Sequence, residues 1–212
     1  VASATTSYNL YKSGKVDYTS LSATESQAST KRKDYSSIQS AATQYMMLNT
    51  DNRALKNENI RKAIQYAVNR KQLTSKVLAG TAKAATTYIP KGLVTDPNTG
   101  KDFATGAETG TVTYDLKKAK SYWKKGVAEV GKSAATKELT LLTDDTDTEK
   151  QTATFIQSQL ESHLSGIKVT VKSVSSKPKQ SSLSDHDFDL ALQTWAADYA
   201  DPVEMLNLLD GD

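Results

Sequence analysis

Two hydrophobic periods take turns along this chain, and their alternation leaves it few folds. In Ile167-Lys168-Val169-Thr170-Val171-Lys172 apolar and polar side chains alternate strictly, as on a strand with one buried face. Tyr45 to Asn49 reads as a short buried strand, and Glu138 to Thr143 and Phe188 to Trp195 as two more. Val16 to Leu21 alternates like a strand or a strand entry. Between these segments the spacing lengthens to about 3.6 residues. Ile60, Ala63, Ile64, Ala67 and Val68 form one apolar stripe on a helix that Asn57 can cap. Asp115 caps a helix to about Val130, with Ala119, Tyr122, Trp123 and Val127 inward and Gly131 past its end. Thr146-Asp147-Thr148-Glu149 is a capping box, cap oxygen and Glu side chain each serving a free amide, ahead of Ala153, Ile156, Leu160 and Leu164. Strands alternating with helices predict an α/β fold.

The remaining segments are weaker. Ser7 to Lys12 reads as the end of a helix stopped at Gly14, and Glu25 to Lys33 as a polar helix. Lys71 to Ala79 reads as a helix ending at Gly80. Thr81 to Gly110, punctuated by Pro90, Pro97 and Gly100, is expected to be a long surface loop. Ser173 to Ser184 is polar, a loop with a short helix. Pro202 to Leu209 begins a last helix with Pro202 in its first turn.

Composition excludes several functions. A chain of 212 residues holds one sizeable core, or a large domain with a piece of another. With 27 basic and 24 acidic residues the net charge of +3 is too balanced for a nucleic-acid footprint. Without cysteine there is no disulfide, thiolate nucleophile or cysteine metal site. No apolar run is long enough to span a membrane, and Val1 to Asp17 lacks the pattern of a signal peptide. A secreted protein numbered after processing, or within a longer chain, has the same appearance.

Enzyme templates fail in turn. There is no Walker loop, no GxGxxG after a strand and no GxSxG elbow. His163 falls at a helix end and His186 in a polar turn, and neither belongs to a metal-ligand pair. Asp144, Asp145, Asp147 and Glu149 cluster in sequence but lack the glycine and the bidentate Glu of a calcium loop. No cofactor and no metal are expected.

Three segments, in order across about 150 residues, resemble the family 5 solute-binding proteins, the oligopeptide and dipeptide receptors of ABC importers. Asn59 to Arg70 (NIRKAIQYAVNR) is similar to that family's "VRxAlxyAiDR" helix, with Leu48-Asn49 before it and Gly80 and Pro90 after. Tyr114 to Lys120 is similar to "yDpekAkxLL". Asp187-Phe188-Asp189-Leu190 followed by Trp195 to Pro202 (WAADYADP) looks like "dfDlxxxgWxaDYxDP". Gly14 to Tyr18 also resembles an element met just before the chain crosses into the large lobe.

The resemblance implies an α/β, periplasmic-binding-protein-like lobe (type II, cluster C), a mixed sheet flanked by helices. It implies that residues 1–43 end an N-terminal lobe, and that 44–212 form the large peptide-binding lobe, incomplete at its C-terminal end. The expected partners are an oligopeptide and ABC permease subunits, with no nucleic acid. The protein would be an extracellular, monomeric lipoprotein held by a lipid anchor outside this segment, and not an enzyme.

A receptor tolerant of peptide sequence must hold what all peptides share. Extended backbone can be gripped as an added strand, and an α-ammonium needs a fixed carboxylate. The resemblance points to Asp198 as that carboxylate, to main chain around Thr194, Ala196 and Ala197 along the ligand, and to Trp195 as the wall of a side-chain pocket. The plainer alternative makes Asp198 a turn residue and Trp195 core. Asp201, before Pro202, reads as a helix cap. Some relatives hold the peptide C-terminus with a basic residue three positions before the Trp; Leu192 stands there, so that clamp is not expected. The alternatives are a receptor for another solute (a peptide pheromone, a sugar, a nickel chelate) and a surface adhesion module.

Overall fold

A computed structural model describes residues 3–106, 113–136 and 138–209. The chain opens with α1 (Ala4–Lys12), α2 (Ala23–Ser29) and β1 (Ala42–Leu48). It continues through α3 (Glu58–Ala67), α4 (Arg70–Gln72), a π-turn (Leu73–Val77), α5 (Phe103–Gly106), α6 (Leu116–Val130) and α7 (Lys132–Ala135). The second half is β2 (Leu139–Asp144), α8 (Asp147–His163), β3 (Val169–Val174), α9 (Ser176–Ser184), β4 (Leu190–Ala196) and α10 (Pro202–Leu206) with a short 3-10 turn behind it.

The four strands form one mixed sheet in the order β1-β4-β2-β3. β2 runs parallel to β3 and β4, each reached through a helical crossover, while β1 is antiparallel to β4. Leu139, Leu141, Val169, Leu190 and Leu192 on one face share a core with Ile60, Ala63 and Ile64 of α3, Ala119 and Trp123 of α6, and Ala153, Ile156 and Leu160 of α8. Leu142 and Ala191, of opposite parity, are buried on the other face, where α9 lies over β2 and Lys179 pairs with Asp144 at 2.6 Å. This is the α/β layering the periods predict.

The predicted caps form. Asn57 accepts from the Ile60 amide, Asp115 from Lys118 and Asp201 from Val203. Helices α3 and α6 meet at a glycine that the pattern did not single out. A Cβ on Gly126 would lie 2.6 Å from Cδ1 of Ile60, so only hydrogen fits there.

Five local expectations are corrected. Val16 to Leu21 forms no strand, because among the described residues no neighbouring strand supplies a ladder. Tyr45 to Leu48 lies in an edge strand, half-buried rather than buried, and Asn49 falls just past its end. Lys71 to Ala79 is not one α-helix: the Leu78 amide reaches back five residues to the Leu73 carbonyl at 3.0 Å, and both leucines are buried. Only half of the capping box at Thr146 exists. The Thr146 hydroxyl accepts from the Glu149 amide, but the Glu149 carboxylate turns to Gln44 of β1 at 2.6 Å and to Thr143. The stretch from Thr81 is not merely a surface loop. It buries Ile89, Leu93 and Ala104 in a second, smaller cluster with Met205; its last residues, 107–110, lie outside the described residues.

Candidate functional site

β4 enters the sheet in the middle and leaves it half-paired. Asn49 donates to the Asp189 carbonyl and Ala197 to the Ala41 carbonyl, both at 2.9 Å, which fixes the phase of the β1–β4 ladder. Odd-numbered residues of β4 therefore turn their main-chain groups to β1, and even-numbered residues turn theirs the other way. On that other side β2 pairs only at Leu141↔Leu190 and Leu142↔Ala191 before diverging towards β3. The amides and carbonyls of Thr194 and Ala196 point into the gap, and both residues are exposed. Two residues beyond, Asp198 is exposed and makes no hydrogen bond or ion pair among the described residues.

The start of β4 is held firmly. The Asp189 carboxylate accepts from the Thr140 amide at 2.8 Å and from Asn52 Nδ2 at 2.7 Å. Asn49 Nδ2 donates to the carbonyls of His186 and Phe188. These contacts tie β1, β2 and β4 together at one end and set the register that brings Thr194 to the other.

Trp195 lies on the sheet face opposite the main core, as its parity requires, and packs against the Ile89–Leu93–Ala104–Met205 cluster. Its indole Nε1 donates to Glu204 Oε1 at 2.8 Å. Glu204 is 8% exposed, and its other oxygen has no hydrogen-bond partner among the described residues. The buried Tyr88 hydroxyl nearby likewise has no well-formed hydrogen bond among the described residues; its ring is edge-on to Tyr45 at 5.2 Å, and burial, with the Tyr45 hydroxyl second, pushes its phenol above the ordinary value. Pattern reading missed Glu204, Tyr88 and the loop residues under Trp195. The only available signal was the apolar Ile89 and Leu93 in an otherwise polar stretch.

A cavity of about 1170 Å³ opens beside this edge. Tyr8, Tyr11 and Arg32 line it from the N-terminal segment, and Thr43, Gln44 and Thr194 from the sheet. Of the five residues expected at the ligand, only Thr194 lines that cavity. Leu192 is 2% exposed, inside the main core. The acidic run at 144–149 does not converge, since Asp144 pairs with Lys179 and Glu149 with Gln44. His163 Nδ1 sits 2.9 Å from the Ala67 carbonyl, and His186 is an exposed turn residue 3.4 Å from Asp51. Among the described residues no helix is long and apolar enough to cross a membrane.

The family model for bacterial extracellular solute-binding proteins, family 5, middle part, matches residues 1–212. A dipeptide-binding protein of Lactococcus lactis subsp. cremoris (strain MG1363) is 34% identical, covering 98% of this chain and 39% of its own length. The solved structure of Listeria monocytogenes OppA bound to peptide superimposes with a TM-score of 0.92 at 32% identity, over 100% of this chain and 42% of that one. The pheromone receptor PrgZ, solved with its mode of peptide binding, gives 0.92 at 35% identity, over 99% and 41%. The chain thus spans about two fifths of the length of these relatives, and its fold is that of a periplasmic-binding-protein-like lobe.

Proposed function

This chain belongs to the bacterial extracellular solute-binding proteins of family 5, and we propose that it is part of the large lobe of a receptor that captures oligopeptides and delivers them to an ABC importer's permease. The observation that carries this reading is the open edge of β4: unpaired main chain at Thr194 and Ala196, followed by the unpartnered carboxylate of Asp198. A peptide laid into the gap adds a strand and satisfies those groups without reference to its sequence. Its α-ammonium then meets Asp198, a charge-assisted contact that strengthens once a closing lobe excludes water. Trp195 and Ala197 flank the same stretch, and Trp195 walls a pocket for one ligand side chain.

In this reading residues 1–43 finish an N-terminal lobe and 44–212 belong to the large lobe, with the cavity between the N-terminal segment and the sheet forming part of the cleft. The apolar surface of Tyr199, Val203, Leu206 and Leu209, all exposed here, supports a larger lobe that covers it. The protein works as a monomer held outside the membrane by a lipid anchor, and it closes on its ligand by hinge motion. No covalent step is needed; transport follows from differential affinity of the open and closed states. Because Leu192 is core, the ligand's carboxylate is not clamped at that position.

The test is calorimetric titration of the complete two-lobed protein with a mixed peptide library, beside Asp198→Ala and beside the same library N-acetylated. Both changes are expected to weaken binding by about 2–5 kcal/mol, the usual cost of stripping one partner from a desolvated charge pair. A wild type that ignores peptides, or an Asp198→Ala protein that binds them equally well, overturns the reading in favour of another solute or an adhesion module.

A further inference from the structure

Glu204 stands where an apolar residue would pack more cheaply. It is 8% exposed, sits in the same short helix as the fully buried Met205, and among the described residues no cation pairs with it. A buried carboxylate without a cation is costly and persists where it does something a hydrocarbon cannot. The one hydrogen bond its side chain makes among the described residues is the 2.8 Å contact from Trp195 Nε1. Glu204 is itself held by a short helix whose start is fixed by the Asp201 cap and by Pro202. Trp195 has the opposite problem: it sits near the end of a strand and is only partly buried, packed against the Ile89–Leu93–Ala104–Met205 cluster.

We propose that Glu204 is a positioning residue for ligand selectivity: by accepting the indole N–H it locks the Trp195 ring in one rotamer, and so sets the shape of the pocket that reads a peptide side chain. This rests on the peptide-receptor reading above. An indole free to swing presents a pocket of variable width and discriminates poorly between side chains. One held by a charge-assisted hydrogen bond presents a fixed wall. The role concerns the variable side chain alone, because the shared peptide features are met by Thr194, Ala196 and Asp198.

The test compares wild type, Glu204→Gln and Glu204→Leu in the complete protein. The probe is a set of peptides identical except at one side chain, applied position by position. Glu204→Gln keeps an acceptor and is expected to preserve the selectivity profile. Glu204→Leu is expected to compress the spread of affinities at one position by about tenfold, the scale at which a pocket separates neighbouring side chains. It should leave the penalty for N-acetylation unchanged. In parallel the Trp195 indole proton resonance, assigned by its loss in Trp195→Phe, should move upfield and exchange faster in Glu204→Leu but not in Glu204→Gln. An unchanged selectivity profile and an unmoved resonance in Glu204→Leu overturn the role while leaving peptide capture intact. A wild type that binds no peptide removes the receptor reading itself, and this role with it.

Discussion

The two tryptophans of this chain each donate an indole hydrogen bond, in opposite settings. Trp123 is 6% exposed among α3, α6 and α8 and donates to a neutral backbone carbonyl, that of Ser165, at 3.0 Å. Trp195 is partly exposed at the end of β4 and donates to a buried carboxylate. Around the first, apolar side chains fill the space, and the buried atoms left without a partner among the described residues are Thr152 Oγ1 and Gln159 Oε1 of α8. Around the second, the main chain of Thr194 and Ala196, the Asp198 carboxylate, one Glu204 oxygen and the Tyr88 hydroxyl are left unmet. Of these only the Glu204 oxygen and the Tyr88 hydroxyl are buried, where a missing partner costs stability; the groups at Thr194, Ala196 and Asp198 are exposed and can exchange water for a ligand at little cost to the free fold.

Trp123→Ala should break this contrast on the stable side with the largest effect. Loss of a fully packed aromatic ring costs about 3–5 kcal/mol, read by chemical denaturation. Trp195→Ala should cost at most about half of that, because part of its ring is already solvated. Equal costs would make Trp195 ordinary core and weaken the case for a ligand pocket there.

Asp189→Ala tests whether the stable end of β4 supports the open one. It strands the Thr140 amide and the Asn52 side-chain amide, and each unmet donor costs about 1–3 kcal/mol, so an overall loss of about 2–4 kcal/mol is expected. Asp189→Asn, which keeps one acceptor, should cost roughly half as much. If neither variant changes the denaturation midpoint, the clamp at this end does not hold the strand, and the register of Thr194 to Asp198 has another source.

Much of the stable region was legible in the sequence because it is built from periodicity. The stripe from Ile60 to Ala67, the caps at Asn57 and Asp115 and the alternation through Val171 each follow from local spacing. The failures are places where tertiary contacts overrode local chemistry. Glu149 has the right spacing to close a capping box, yet Gln44, 105 positions away, takes its carboxylate. Ile89 and Leu93 sit in a stretch whose Thr, Gly and Pro content marks a loop, and no short-range pattern shows that Met205 and Trp195 will bury them. The open edge of β4 is harder still to foresee, since it depends on where β2 stops pairing. Asp198 and Trp195 came from the motif alone; the open edge beside them came only with the sheet.

The smallest effect belongs to a comparison inside the motif itself. Asp198 and Asp201 are three residues apart and equally acidic, but the fold uses only one of them. Asp201 Oδ1 accepts the Val203 amide at 2.8 Å and starts α10, whereas Asp198 has no partner among the described residues. Asp201→Ala should therefore cost about 1 kcal/mol of stability, and Asp201→Asn almost nothing, since asparagine caps as well as aspartate. Asp198→Asn should change stability by less than about 0.5 kcal/mol, as expected for an exposed side chain without contacts, while removing the charge an α-ammonium would meet. Denaturation of the four proteins, with Asp198→Ala as the fourth, separates the two roles without any ligand. If Asp198→Ala destabilises as much as Asp201→Ala, Asp198 holds the turn, and the plainer reading of that residue wins. If only Asp201→Ala does, the carboxylate of Asp198 contributes nothing to the free protein, which is what a group kept for a ligand should do.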